Sequence, residues 1–173
     1  MEKSDSHHPT PRPSPTSVRL RPTTASDLPA LHAMELDPLS NERAGSKPRD
    51  WPTFLARWEQ ILADPSGVLT GVTPRVILAD GELVGSVNVS PQDGVSSLGY
   101  WIAREHWGRG IATRAVALML VEYPARPLIA TAAAFNLASI RVLEKNGFVI
   151  ASRHATPEGA RTVERETVTL VLR

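Results

Sequence analysis

No cysteine occurs among the 173 residues, which excludes a disulfide framework, a thiolate metal site and a cysteine nucleophile. An excess of one charge is missing too, since 19 Lys and Arg stand against 18 Asp and Glu for a formal net charge of +1. That balance gives no electrostatic case for a nucleic-acid or membrane partner. No run approaches the roughly 18 apolar residues of a membrane span, and the N-terminus lacks the apolar core of a signal peptide. The expectation is a cytoplasmic protein, long enough for one domain with a substantial core. Two phosphate-binding signatures are absent as well: there is no Gly-Lys-Ser/Thr Walker loop and no Gly-x-Gly-x-x-Gly dinucleotide turn.

A different glycine turn is present, in residues 100–113, YWIAREHWGRGIAT. Tyr100, Trp101 and Ile102 read as the end of a strand, since aromatic and β-branched side chains suit a pleated, half-buried surface. From Ile111 onward, Ala115, Leu118, Met119 and Glu122 recur at helical spacing. A strand feeding a helix through glycines leaves free N–H groups at the helix N-terminus, where the dipole adds partial positive charge. Such a turn suits a phosphate or pyrophosphate. Gly108 and Gly110 remove the Cβ atoms that would hold a ligand off, and Arg104 and Arg109 are placed to add charge-assisted bonds.

Taken in order, residues 1–17 carry Pro9, Pro11, Pro13 and Pro15 among Ser, Thr and His. Such a segment offers too little apolar burial to offset its ordering entropy and reads as a disordered tail before a domain at 18–173. His7 and His8 have no third metal ligand nearby. A strand at 18–21 precedes a helix capped by Ser26 or Asp27 with Pro29 in its first turn, running to about Leu36. Residues 37–50, with two prolines, Gly45 and mixed charge, read as a loop. A second helix carries Trp51, Phe54, Leu55, Trp58, Ile61 and Leu62 on one side, a stripe that reads first as core. Residues 75–79 and 83–89 form a hairpin about Asp80-Gly81, with a further turn at 91–94. A strand at 128–133, a helix from Asn136, and a hairpin of 148–153 with 162–172 about 157–160 complete the chain. The order β-α-α-β-β-β-α-β-α-β-β is an α/β arrangement of a mixed sheet and covering helices.

Residues 107–112, WGRGIA, resemble the acyl-CoA pyrophosphate loop of the GCN5-related N-acetyltransferase (GNAT) superfamily, Gln/Arg-x-x-Gly-x-Gly/Ala, with Trp107 in the first slot. Residues 136–148, NLASIRVLEKNGF, resemble that superfamily's Asn-x-x-Ser/Ala-x-x-x-Tyr/Leu-Glu-Lys-x-Gly-Phe segment. Both windows stand in the expected order, and the Trp-Gly loop looks like the branch of the ribosomal-protein N-terminal acetyltransferases. The resemblance implies a mixed, mostly antiparallel sheet flanked by helices. It also implies transfer of an acetyl group from acetyl-CoA, without a metal, to a primary amine by direct attack. That amine is a protein N-terminal α-amine or, alternatively, that of a metabolite, polyamine or antibiotic. A non-catalytic CoA-binding sensor is the reading from outside the enzymes. Neither a monomer nor a homodimer is specified.

The resemblance assigns the cofactor loop to Trp107, Gly108, Arg109, Gly110, Ile111, Ala112 and Thr113. Asn136 and Ser139 lie beside the pantetheine, and an oxyanion donor lies near Trp101, Ile102 and Ala103. The superfamily's thiolate-protonating tyrosine falls at Leu143, which cannot donate. Gly147 as C′ would pair Leu143 with Phe148 in a Schellman cap. In the Trp-Gly branch a serine one turn earlier is proposed as the acid, and that is Ser139. Asn136 is also a natural N-cap. Arg141 and Lys145 read as solvated charges within reach of CoA phosphates. Glu35 and Asp37 are the carboxylates nearest the acceptor side, and Glu35 is the candidate base.

Overall fold

The computed structural model describes residues 13–173. Seven strands make one sheet: β1 (Val18–Pro22), β2 (Thr73–Ala79), β3 (Glu82–Gln92), β4 (Val95–Ile102), β5 (Leu128–Ala133), β6 (Val149–Thr156) and β7 (Arg165–Leu172). Their order across the sheet is β1-β2-β3-β4-β5-β7-β6. Every neighbouring pair is antiparallel except β4 and β5, which run parallel. The helices are α1 (Leu28–Glu35), α2 (Pro38–Ala44), α3 (Trp51–Leu62), α4 (Ile111–Glu122) and α5 (Leu137–Lys145). The mixed, mostly antiparallel sheet with flanking helices expected from the sequence is present.

One element departs from the expected order, because residues 37–50 hold a helix rather than a loop. The residues that suggested a loop are the signals that start and stop it. The Asp37 carboxylate accepts from Ser40 N–H, Pro38 fills the first helical position, and Gly45 closes the helix at φ 61°. Pro91, expected in a turn, pairs with Ser96 inside the β3–β4 ladder, and the turn shrinks to Asp93 and Gly94. Strand β2 ends at its Thr73–Val89 pairing, so the missing Pro91 N–H breaks no sheet bond.

Two apolar clusters lie on opposite sides of the sheet. The larger one joins Val84, Val87 and Leu98 to Val116 and Met119 of α4, Ile140 and Leu143 of α5, and Phe148. The buried stripe of α4 is Ile111, Ala115, Val116 and Met119, and Leu118 faces outward. The smaller cluster packs Leu28, Leu31 and Phe54 on Val76. Helix α5 ends in the expected Schellman cap. Phe148 N–H donates to Leu143 C=O at 3.2 Å and Gly147 N–H to Glu144 C=O at 3.0 Å. Leu143 and Phe148 are 1% and 2% exposed, so the position matching the superfamily's tyrosine is core.

Residues 13–17, placed with the tail by composition, lie on the domain. Thr16 Oγ1 and Ser17 N–H donate to Asp80 Oδ1, each at 2.8 Å, and Asp80 N–H returns a bond to Ser17 C=O at 3.0 Å. The Pro13 and Pro15 carbonyls accept from Arg109 and Arg114, each at 2.8 Å, and Pro15 is buried. Residues 1–12, including His7 and His8, are outside the described residues.

Candidate active site

Strands β4 and β5 pair only at Ser96–Leu128 and Ser97–Ile129, and then part. Residues 98–102 stay on β3 while β5 follows β7, which opens a wedge in the middle of the sheet. Ala103 N–H donates to Val84 C=O at 2.9 Å. Alternation along an antiparallel ladder therefore turns the N–H groups of Tyr100 and Ile102 into the wedge. The Ile102 C=O, facing the same way, accepts the Trp107 indole N–H at 2.8 Å.

A cleft of about 630 Å³ fills this wedge and runs out along the start of α4. Gly108 and Gly110 hold φ of 72° and 71°, conformations that glycine adopts without strain, and a Cβ at either would meet nothing within 4 Å. Among the described residues, no protein acceptor takes the N–H groups of Gly108, Arg109, Gly110, Ile111, Ala112 or Thr113. These unengaged amides sit at the positive end of a 12-residue helix. Arg43, Arg109, Arg141 and Lys145 also line the cleft, and among the described residues no carboxylate does. The cleft is built for an extended polyanion.

The residues expected on the cofactor side line this cleft, with two exceptions, Ala103 and Arg104. Ala103 is 4% exposed and its N–H is already engaged, so it presents nothing to a ligand. Trp101 donates its indole N–H to Met34 C=O at 3.1 Å, tying β4 to α1. Arg109 turns partly away, with Nε on Pro13 C=O and Nη1 2.8 Å from His106 Nδ1. Arg104 lies 3.4 Å from Asp37 and is not part of the lining. Arg43 sits 5.2 Å over the Trp107 ring, a cation–π contact that places a guanidinium at the rim. Asn136 caps α5 as expected, its Oδ1 accepting Ser139 N–H at 3.1 Å.

The Ser139 hydroxyl meets Tyr100, with Oγ and the phenol oxygen 2.8 Å apart. Sequence reading took Tyr100 as strand and missed this role. Its signal lay in the aromatic β4 terminus, but partnership with α5 across 39 residues has no local signature. Burial pushes the Tyr100 phenol above its ordinary pKa, opposed by the Ser139 hydrogen bond. The phenol therefore stays protonated at neutral pH and can donate.

Tyr100 and Trp101 also border a second cavity, of about 270 Å³, between α1, α3 and strands β2 to β4. Phe54, Trp58 and Ile61 of the α3 stripe line it, so the stripe serves both core and cavity, except that Trp51 at its start is 39% exposed and belongs to neither. Glu35 lies here, but its oxygens are occupied. Arg49 Nη1 bonds both at 3.0 Å, Arg49 N–H adds a 2.9 Å bond, and Arg161 Nη1 stands 2.8 Å away. Asp37 borders neither cavity. The Ser40 hydroxyl and N–H bonded to it hold its carboxyl below the ordinary range, as befits a helix cap. Arg161, from the β6–β7 connection, was invisible as a site residue because 112 residues separate it from Arg49 in the chain.

A family model described as the acetyltransferase (GNAT) domain matches residues 17–149. The chain is 32% identical over 104 residues to the provisionally named ribosomal N-acetyltransferase YdaF of Bacillus subtilis (strain 168), a stretch covering 56% of this chain and 54% of that protein. The chain thus spans about half the length of that curated relative. Mycobacterium smegmatis RimJ in complex with CoA-disulfide superposes with a TM-score of 0.69 at 25% identity, covering 90% of this chain and 81% of RimJ. Vibrio cholerae spermidine N-acetyltransferase, solved with CoA and spermine, has the same fold at a TM-score of 0.74 and 16% identity, covering 90% and 94% of the two chains.

Proposed function

The chain belongs to the GNAT acetyltransferase family, and from that premise we propose that it transfers an acetyl group from acetyl-CoA to a primary amine, the α-amine of a protein N-terminus. One observation carries the reading: a polyanion cleft and a separate smaller cavity meet at Tyr100 and Trp101, where β4 leaves β5. The open amides of Gly108 to Thr113 and the basic rim fit the phosphates of CoA, and the wedge fits its pantetheine arm. Acetyl-CoA supplies an activated thioester carbonyl.

This chain's residues would then do three things. The Ile102 N–H, free in the wedge, stabilises the negative charge that grows on the carbonyl oxygen. The cavity beyond Trp101 holds the neutral amine in line with the carbonyl, so that a C–N bond forms as the C–S bond breaks. The amine proton passes to water, and the departing thiolate accepts a hydrogen bond from the Ser139 and Tyr100 hydroxyls and takes a solvent proton relayed through them, which leaves both hydroxyls protonated.

The choice of an α-amine rests on proton energetics. Freeing an amine of pKa about 10.4 at pH 7 costs about 4.6 kcal/mol, whereas an α-amine near 8 costs about 1.4 kcal/mol. Among the described residues Glu35 is the one carboxylate bordering the acceptor cavity, and arginines occupy it. An acceptor that needs little help suits such a site. The relative named for ribosomal N-acetylation supports the same choice. The test measures free CoA released from acetyl-CoA with peptides of free and blocked N-termini. Release with free termini and none with blocked ones, in peptides without lysine, is the expected outcome. Release that ignores the terminus, or none at all, overturns the reading.

A further inference from the structure

The acceptor cavity is strongly basic. Among the described residues Arg49, Arg57 and Arg161 border it with Glu35 as their one acid, and the fourth arginine, Arg75, is balanced by Glu122 at 2.7 Å. Glu35 offsets one of the three guanidiniums. Arg57, projecting from α3, meets no carboxylate among the described residues. Its guanidinium pKa is lowered by burial and by the charge of Arg49, with Glu35 opposing. The two surplus positive charges border the cavity beside the apolar wall of Phe54, Trp58 and Ile61, and because Arg57 is exposed, water screens part of their mutual repulsion.

Such a surplus has three consequences for an acceptor. A polyamine would add like charge and is disfavoured. A carboxylate would receive forked, charge-assisted bonds from guanidiniums already in place. A nearby ammonium would lose its proton more readily, since adjacent positive charge favours the neutral form.

We propose that the acceptor carries a carboxylate beside its amine, bound by Arg57 and Arg161, while Glu35 positions Arg49 and Arg161 rather than meeting the amine. The inference rests on the reading of this cavity as the acceptor site. The carboxylate can come from an Asp or Glu directly following the N-terminal residue of a peptide, or from the α-carboxylate of a free amino acid. The chemistry is shared, and the assay separates the sources.

The test compares kcat/KM, by CoA release at saturating acetyl-CoA, for five acceptors: a peptide beginning Ser-Asp-Glu, its Ser-Asn-Gln counterpart, serine, serinamide and spermidine. The acidic member of at least one pair should exceed its amide by roughly tenfold or more, mainly through KM. The pair that shows the gap identifies the source. Spermidine should be slowest. Arg57→Gln should erase the gap and Arg57→Lys restore part of it, each with its fold checked by thermal melting. Arg153→Gln removes a charge from exposed β6, and should leave the gap intact. Equal rates within both pairs, faster turnover of spermidine, a gap that survives Arg57→Gln, or one that Arg153→Gln also erases would each overturn the proposal. Acetyl-CoA binding by calorimetry with no acceptor turned over would instead overturn the acetyltransferase reading beneath it.

Discussion

Tyr100 borders both cavities and shares a hydrogen bond with Ser139 across the wedge, so the two hydroxyls are best tested as a pair. Ser139→Ala should depress kcat by about 100-fold with acetyl-CoA affinity little changed, because the loop amides set that affinity. Tyr100→Phe should lower kcat in the same direction. The double variant should lose much less than the product of the two, as expected for groups that act together. A Ser139→Ala variant that keeps more than about a third of wild-type kcat, with chemistry rate-limiting, would leave thiolate protonation to solvent. Another residue-scale expectation concerns acid stability. The Arg21 hydrogen bonds, outweighing the cost of burial and joined by those of Thr24, lower the Asp27 pKa from 3.8 to about 2. A carboxyl with a depressed folded pKa stabilises the protein above its unfolded value and loses that contribution as pH falls through the folded one. The chain should therefore lose roughly 2 kcal/mol between about pH 5 and pH 2 from this group. Arg21→Met should flatten that part of a denaturation-versus-pH curve, and an unchanged slope would show that the pair is not the cause.

At the scale of elements, the turn into α4 and the segment before β1 each make a prediction. Gly110 is the N-cap of α4 at φ 71°, with open space where a Cβ would point. Gly110→Ala should cost about 1–2 kcal/mol in stability from the left-handed backbone. It should also weaken acetyl-CoA binding tenfold or more by holding the pyrophosphate off the amides, as calorimetry on the folded variant would show. Unchanged affinity would remove the loop from the cofactor site. Residues 13–17 supply donors to Asp80 and carbonyls to Arg109 and Arg114. Deleting residues 1–17 should lower Tm by several degrees, while deleting 1–12 should shift it by less than about 2 °C. Equal melting temperatures for the two truncations would show that these contacts contribute nothing. The same segment shows why composition misjudged its end. Four prolines predict poor self-burial, but Pro15 is covered by a surface built elsewhere in the chain. In the same way Asp37, Pro38 and Gly45 carried helix signals that a count of loop-forming residues concealed.

For the molecule as a whole, local chemistry settled what local signals can reach. The strand–glycine–helix turn at Gly108 and Gly110, the Asn136 cap, the Leu143–Phe148 Schellman pair and the α3 stripe are set by residues within a few positions of one another. Their backbone hydrogen bonds and side-chain periodicity close over short distances, so these features were legible in the sequence. The parting of β4 from β5 was not, because it depends on which strand each edge prefers, and β5 is taken by β7 from the far end of the chain. The Tyr100–Ser139 bond and the Glu35–Arg49–Arg161 cluster were hidden for the same reason. The sequence by itself determined the fold class, the strand–glycine–helix turn and the apolar stripes of the core. Tertiary structure alone decided that Ala103 is spent on β3, that Glu35 is held by arginines and that arginines gather around the smaller cavity. Those outcomes depend on distances between segments far apart in the chain, and hydrogen-bond and charge energies depend on distance, not on sequence separation.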